Sequence, residues 1–331
     1  MFRPMPPGAG SCAKTSIIPR QLGRERVSPH AVVAVVSVII ALVVLAGCGR
    51  NDTAARSADS TDTAGGGAAT GAAAWQRTTV EAAGTTISVA CRGTGGPSVW
   101  FVSSLGEDAN EGWLASGVPD RVAARTRACV YDRPGLGESG PPSSDRSNRT
   151  VENHTAELDE ILTAVGETKP VVVVGQGYGA FVARLFAKEH LDRLAGLVLV
   201  DPTLWLLPTE PPEGSSDGVR AEYAHVGQIN TDLGGYGGAA LPPPPAPTFI
   251  IGVAADLPAR PGTDETSGTT GRGEPDPPQS KRHEMQQGLA NKSPFGKFIV
   301  LDHAGSAAQY WDAEAVATVI FDVLAHPNLR R

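Results

Sequence analysis

VVVVGQGYGA, residues 171–180, decides how the rest of the chain is read. Four consecutive valines make a β-branched apolar run of the kind that is buried on both faces of a sheet. Gly175, Gly177 and Gly179 then mark a tight turn where backbone passes close to backbone. In the FVARLFAKEH that follows, Phe181 with Leu185 and Val182 with Phe186 are four residues apart, which puts them on one face of a helix. The segment is a strand, a glycine turn and a helix.

Outward from it the alternation continues. HTAELDEILTAVG (154–166) has helical periodicity, and LAGLVLVD (194–201) is another unbroken apolar strand. Such strands alternating with helices imply an α/β fold whose mostly parallel sheet is covered on both faces. Towards the N-terminus, TTVEAAGTT (78–86), ISVACRG (87–93), SVWFVSS (98–104) and ACVYDRP (128–134) are β-rich runs bounded by Gly, Pro or Ser, so an antiparallel hairpin should lead into the sheet. From about 202 to 246 the pattern gives way to a Pro- and Gly-rich insertion with Trp205, Tyr223 and Tyr236, placed where a lid would sit. PTFIIGV (247–253) resumes the sheet, and about 258–280 reads as a disordered excursion. GKFIVLD (296–302) and the helix AEAVATVIFDVLA (313–325) close a domain that spans 76–331.

With 331 residues, 41% of them hydrophobic, the chain can bury a sizeable core. Its formal net charge is -7, and five of its 28 basic residues but only one of its 35 acidic residues precede Cys48. The remainder is therefore more acidic than the whole, which gives no support for nucleic-acid binding.

The first residues carry a separate signal. Lys14, Arg20, Arg24 and Arg26 precede the apolar run AVVAVVSVIIALVVL (31–45), and Leu45, Ala46 and Gly47 lead to Cys48. This resembles a bacterial lipoprotein signal. The resemblance implies that 1–47 are removed and that Cys48 is diacylated, holding the protein to the cell membrane on its extracytoplasmic face. The other reading is an uncleaved membrane helix, for which the run falls short of the roughly 20 apolar residues needed. Residues 48–75 are mostly Ala, Gly, Ser, Thr and Asp and read as a disordered tether.

Between about 78 and 325, the order of segments resembles the α/β-hydrolase superfamily, and in particular its secreted actinobacterial branch. The stretches CRGTGGPSVWFVSSLGEDANEGW (91–113), RACVYDRPGLGES (127–139), VVVVGQGYGA, LAGLVLVDP (194–202) and the closing helix carry the likeness. In that fold the strands holding Cys91 and Cys129 are neighbours, so in an oxidising compartment the two either pair or remain buried thiols.

The resemblance also assigns the catalytic positions. Gly177 stands where an elbow nucleophile belongs and has no nucleophilic atom. The general-base position falls on Ser306, with His303 three residues earlier as a displaced base or a surface residue. The acid position falls on Ala255, with Asp256 beside it as the possible acid. Backbone amides of Leu105 and Tyr178 would form the oxyanion hole. With nucleophile and base both missing, the expected protein is a non-catalytic relative that binds a small apolar ligand, an envelope component or a protein partner. The alternative is an esterase or lipase with a rearranged site, built on Asp256 and His303 or on Ser103, Ser104 or Ser306. GQGYGA also satisfies the dinucleotide pattern G-x-G-x-x-A, with Asp201 about 20 residues on as a ribose ligand. Several strands precede it, however, and an extracytoplasmic site lacks a ready supply of dinucleotide. No cofactor or metal is expected.

Overall fold

A computed structural model of the chain describes residues 74–202, 207, 210–227, 244–254, 261 and 278–329. The leader, Cys48, most of the tether, Trp205, Tyr236, Asp256 and most of 258–280 lie outside the described residues.

β1 (Gln76–Ala82) and β2 (Thr85–Arg92) form the expected antiparallel hairpin. Its turn falls at Ala83 and Gly84, both at positive φ, so the run 78–86 comprises the end of one strand, a turn and the start of the next. The remaining strands are β3 (Val99–Val102), β4 (Ala128–Tyr131), β5 (Val171–Gln176), β6 (Leu194–Val200), β7 (Thr248–Val253) and β8 (Gly296–Leu301). They join in one eight-stranded sheet of order β1-β2-β4-β3-β5-β6-β7-β8. β2 pairs antiparallel with β4, and from β4 to β8 every pairing is parallel. A dinucleotide-binding Rossmann sheet has the order 3-2-1-4-5-6 with its glycine turn after the first strand. Here GQGYGA follows the fifth strand, so the fold that alternative requires is not the one formed.

The α-helices among the described residues are α1 (Ala109–Gly112), α2 (Val118–Ala123), α3 (Val151–Ala164), α4 (Tyr178–Glu189), α5 (Asp217–Tyr223), α6 (Gln279–Asn291), α7 (Ala308–Trp311) and α8 (Ala313–Leu324). α5 lies within the stretch of about 202–246 where a lid is expected, and α6 begins inside the last residues assigned to the excursion. Although the strands are unbroken apolar runs, their side chains still alternate between two layers. Val171 and Val173 join Trp100, Leu197, Leu158, Ile161 and Phe186 in one core. Val172 and Val174 join Phe101, Val198, Ile320 and Val323 in the other. α3 and α4 cover the first face, while α2 and α8 cover the second. Thr150 caps α3 and Asp312 caps α8, each side chain accepting a backbone N–H of the first turn.

Cys91 and Cys129 lie directly opposite each other on β2 and β4 and are joined by a disulfide. Among the described residues no helix is long and apolar enough to cross a membrane.

Candidate functional site

The parallel strands β3, β5 and β8 run the same way, so the loops that leave them, at 103–106, 177 and 302–307, emerge along one edge of the sheet. This is the edge where ligands of open α/β sheets bind.

At its centre is Gly177, with φ 54 and ψ -117, between β5 and α4. Side-chain-bearing residues rarely adopt that φ, and a nucleophile held there is strained. The frame around it is tight. A Cβ on Gly175 would lie 2.3 Å from the Gly179 carbonyl oxygen, and one on Gly179 would lie 2.3 Å from that of Val102. The elbow is therefore present in backbone geometry, although the residue at its apex has no hydroxyl. The Gly177 N–H donates to Val200 O at 3.1 Å, at the end of the β5–β6 ladder.

The next amide belongs to Tyr178, the residue after the expected nucleophile position, and it donates to Ser104 Oγ at 3.3 Å. A hydroxyl from the loop after β3 thus occupies one of the two donors assigned to the oxyanion hole. Ser104 N–H in turn donates to Glu107 Oε2 at 3.3 Å, and Leu105 is buried in the core.

Ser306 is half-buried in the bend before α7. His303 sits in the turn after β8 with 63% of its side chain exposed, and its Nε2 is 2.9 Å from Asp312 Oδ2. Asp312 also caps α8 through the Ala315 N–H, and that bond with the His303 contact holds its carboxyl below the ordinary carboxylate value. In this structure His303 is a surface residue against a helix cap. Asp201, the ribose-ligand candidate, is buried and accepts from Gln286 Nε2 at 2.9 Å.

Beneath the elbow lies a buried polar cluster that the sequence did not reveal. Arg133, from the DRPG turn after β4, pairs with Glu222 of α5 through Nε to Oε1 at 2.7 Å and Nη2 to Oε2 at 2.9 Å. The other guanidinium donors reach Ser103 O at 2.8 Å and Ser104 O at 2.7 Å. Burial alone would lower the Arg133 pKa, but Glu222 outweighs it and keeps the guanidinium charged. His154 of α3 places Nδ1 2.7 Å from the Tyr178 hydroxyl and Nε2 3.7 Å from Glu222 Oε1. Burial first, then Arg149 and Arg133, hold His154 well below the ordinary histidine value, so the ring is neutral near pH 7. Arg149 and Glu157 form a second buried pair beside it. Tyr178 fixes this cluster to the elbow, since its amide faces the loop after β3 while its ring points to His154. Arg133 was legible as part of a turn motif, but its partner Glu222 lies 89 residues away in the least patterned stretch of the chain.

The sheet order, the glycine elbow after β5 and the loop after β3 define an α/β-hydrolase scaffold. The profile described as the alpha/beta hydrolase family matches residues 65–319, and the chain belongs to that family. Among curated proteins, an uncharacterized protein of Bacillus subtilis, YqjL, is 31% identical over 115 residues, which cover 34% of this chain and 42% of that protein. The human (lyso)-N-acylphosphatidylethanolamine lipase is 28% identical over 115 residues, covering 35% of this chain and 32% of its own. The alignments thus span less than half the length of these relatives. A solved serine hydrolase involved in carbazole degradation superposes with a TM-score of 0.57 at 15% identity, over 76% of this chain and 99% of that one. An epoxide hydrolase from Vigna radiata gives 0.54 at 14% identity, over 76% and 98%. At such identities these two likenesses speak to the fold.

Proposed function

We propose that the chain is an exported, lipid-anchored member of the alpha/beta hydrolase family that binds a ligand without turning it over. One observation carries the reading. The elbow keeps its backbone conformation at Gly177, while the Tyr178 amide that would stabilise an acyl-transfer oxyanion is held by Ser104 Oγ. Acyl transfer needs a nucleophile, a base and free oxyanion donors together. Ser306 at the base position and the exposed His303 paired with Asp312 support the same conclusion. The ligand is a small apolar molecule or envelope component, and the membrane is reached through lipid on Cys48. A residual hydrolase would rely on Asp256 and His303, or on Ser103, Ser104 or Ser306 as the attacking group.

The test is hydrolysis of short- and medium-chain esters by the purified full chain, beside Gly177→Ser and the double variant Gly177→Ser, Ser306→His. The natural protein should be inert and the double variant should gain turnover. Robust turnover by the natural protein that is lost in Asp256→Ala or His303→Ala would overturn the reading in favour of an esterase or lipase, the class to which the human relative's name belongs. Anchoring is read separately. The natural chain should partition into membranes carrying a diacylated Cys48, and Cys48→Ala should not.

A further inference from the structure

Helix α5 lies against the loop after β3, and a single carboxylate, Glu222, fastens it there. Both oxygens of the fully buried Glu222 are engaged: Oε1 accepts Arg133 Nε at 2.7 Å, and Oε2 accepts Arg133 Nη2 at 2.9 Å and the Gly106 N–H at 2.8 Å. The guanidinium is held independently of α5, because Nη1 and Nη2 also donate to the Ser103 and Ser104 carbonyls. α5 sits close to both turns beneath it. A Cβ on Gly218 would lie 1.7 Å from Gly135 O, and one on Gly106 would lie 3.1 Å from Val219 Cγ1 and 3.2 Å from a Tyr223 ring carbon.

A planar guanidinium gripping two oxygens, joined by one backbone N–H, is the donor set that recognises a carboxylate. These donors belong to the body of the domain, whereas the acceptor belongs to the helix above. Lifting α5 alone would strip the Arg133 guanidinium of its counter-ion and break a bidentate, charge-assisted pair, which is disfavoured. A carboxylate arriving from solution removes that obstacle by taking the place of Glu222.

We propose that Arg133 and the Gly106 N–H form a carboxylate receptor which α5 fills in cis with Glu222, and that this helix is released from the loop 103–106 when a free monocarboxylate takes that place. The inference does not depend on whether the elbow is catalytic, and its test does not measure turnover.

Hydrogen exchange of the full chain, read on peptides covering α5, the loop 103–106 and β5, tests it. In the natural protein α5 should exchange at least tenfold faster than β5, by opening locally. In Glu222→Ala both α5 and the loop should speed up at least tenfold while β5 is unchanged. Sodium acetate should then restore protection to the loop but not to α5, and sodium chloride at equal ionic strength should do neither. If acetate acts no differently from chloride, there is no receptor. Should Glu222→Ala fail to fold, the natural protein still decides: α5 exchanging only at the rate of β5 would make the ion pair a brace of the global fold and overturn the proposal.

Discussion

Ser104 Oγ accepts the Tyr178 N–H at 3.3 Å, so the loop after β3 covers the amide that follows the elbow apex. One oxyanion donor is worth about 10²–10³ in rate where it has been removed from a working enzyme. Ser104→Ala, added to Gly177→Ser, Ser306→His, should therefore raise esterase turnover by at least about tenfold over the double variant. Steady-state rates with one short-chain ester decide this, and an unchanged or lower rate would show that the hydroxyl does not obstruct the hole.

Two glycines of the elbow should respond differently to substitution. At Gly177 a side chain meets unfavourable φ, a cost of about 1–3 kcal/mol. At Gly175 a Cβ would collide with the Gly179 carbonyl at 2.3 Å, and backbone cannot swing aside as a side chain does. Urea denaturation should show Gly177→Ser folded with a modestly lowered midpoint, and Gly175→Ala lowered further. The reverse order would mean that the close passage of β5 and α4 is softer than its geometry implies.

That contrast marks what was legible in the sequence. The period of the apolar runs and the glycines that punctuate them are local signals, so the parallel strands, the elbow and the closing helix were readable directly. The hairpin was legible too, although the run 78–86 does not by itself show that its turn is shared by Ala83, a non-glycine at positive φ, with Gly84. The Arg133–Glu222 pair and the Ser104–Tyr178 bond join residues 89 and 74 positions apart. No spacing rule encodes such contacts, because the folded sheet brings these residues together. His154 is hidden for the same reason: its place near the start of α3 is a local feature, but its burial against Tyr178 is not.

The disulfide bridges β2 and β4 across a sequence separation of 38, with Cys129 buried and Arg127 Nη2 3.3 Å from Cys91 Sγ. Closing a loop of that length limits the unfolded chain and typically contributes about 2–4 kcal/mol. The full chain should show no free thiol at Cys91 or Cys129 by mass under non-reducing conditions. Cys91→Ser, Cys129→Ser should then have a lower urea midpoint and an unfolding free energy smaller by about 2–4 kcal/mol. Two free thiols in the natural protein would refute the pairing.

The buried His154 makes stability depend on pH with a definite sign. Its folded pKa lies well below the unfolded value, with burial as the largest cause. Below about pH 6.5 the unfolded chain therefore takes up a proton that the native ring does not, so stability falls as pH falls through that region and levels off above it. Asp312, held low by the α8 cap and His303, contributes stability that is lost only as pH falls below the carboxylate range, in a more acidic window. Unfolding midpoints between pH 8 and 5 should accordingly be flat above about 7 and decline towards 5. His154→Gln should be less stable at pH 8, because the contact with the Tyr178 hydroxyl at 2.7 Å is disturbed, yet its decline towards pH 5 should be shallower. A decline as steep as in the natural protein would place the titrating group elsewhere. Equal stability at pH 8 would mean that the cluster beneath the elbow does not depend on that contact.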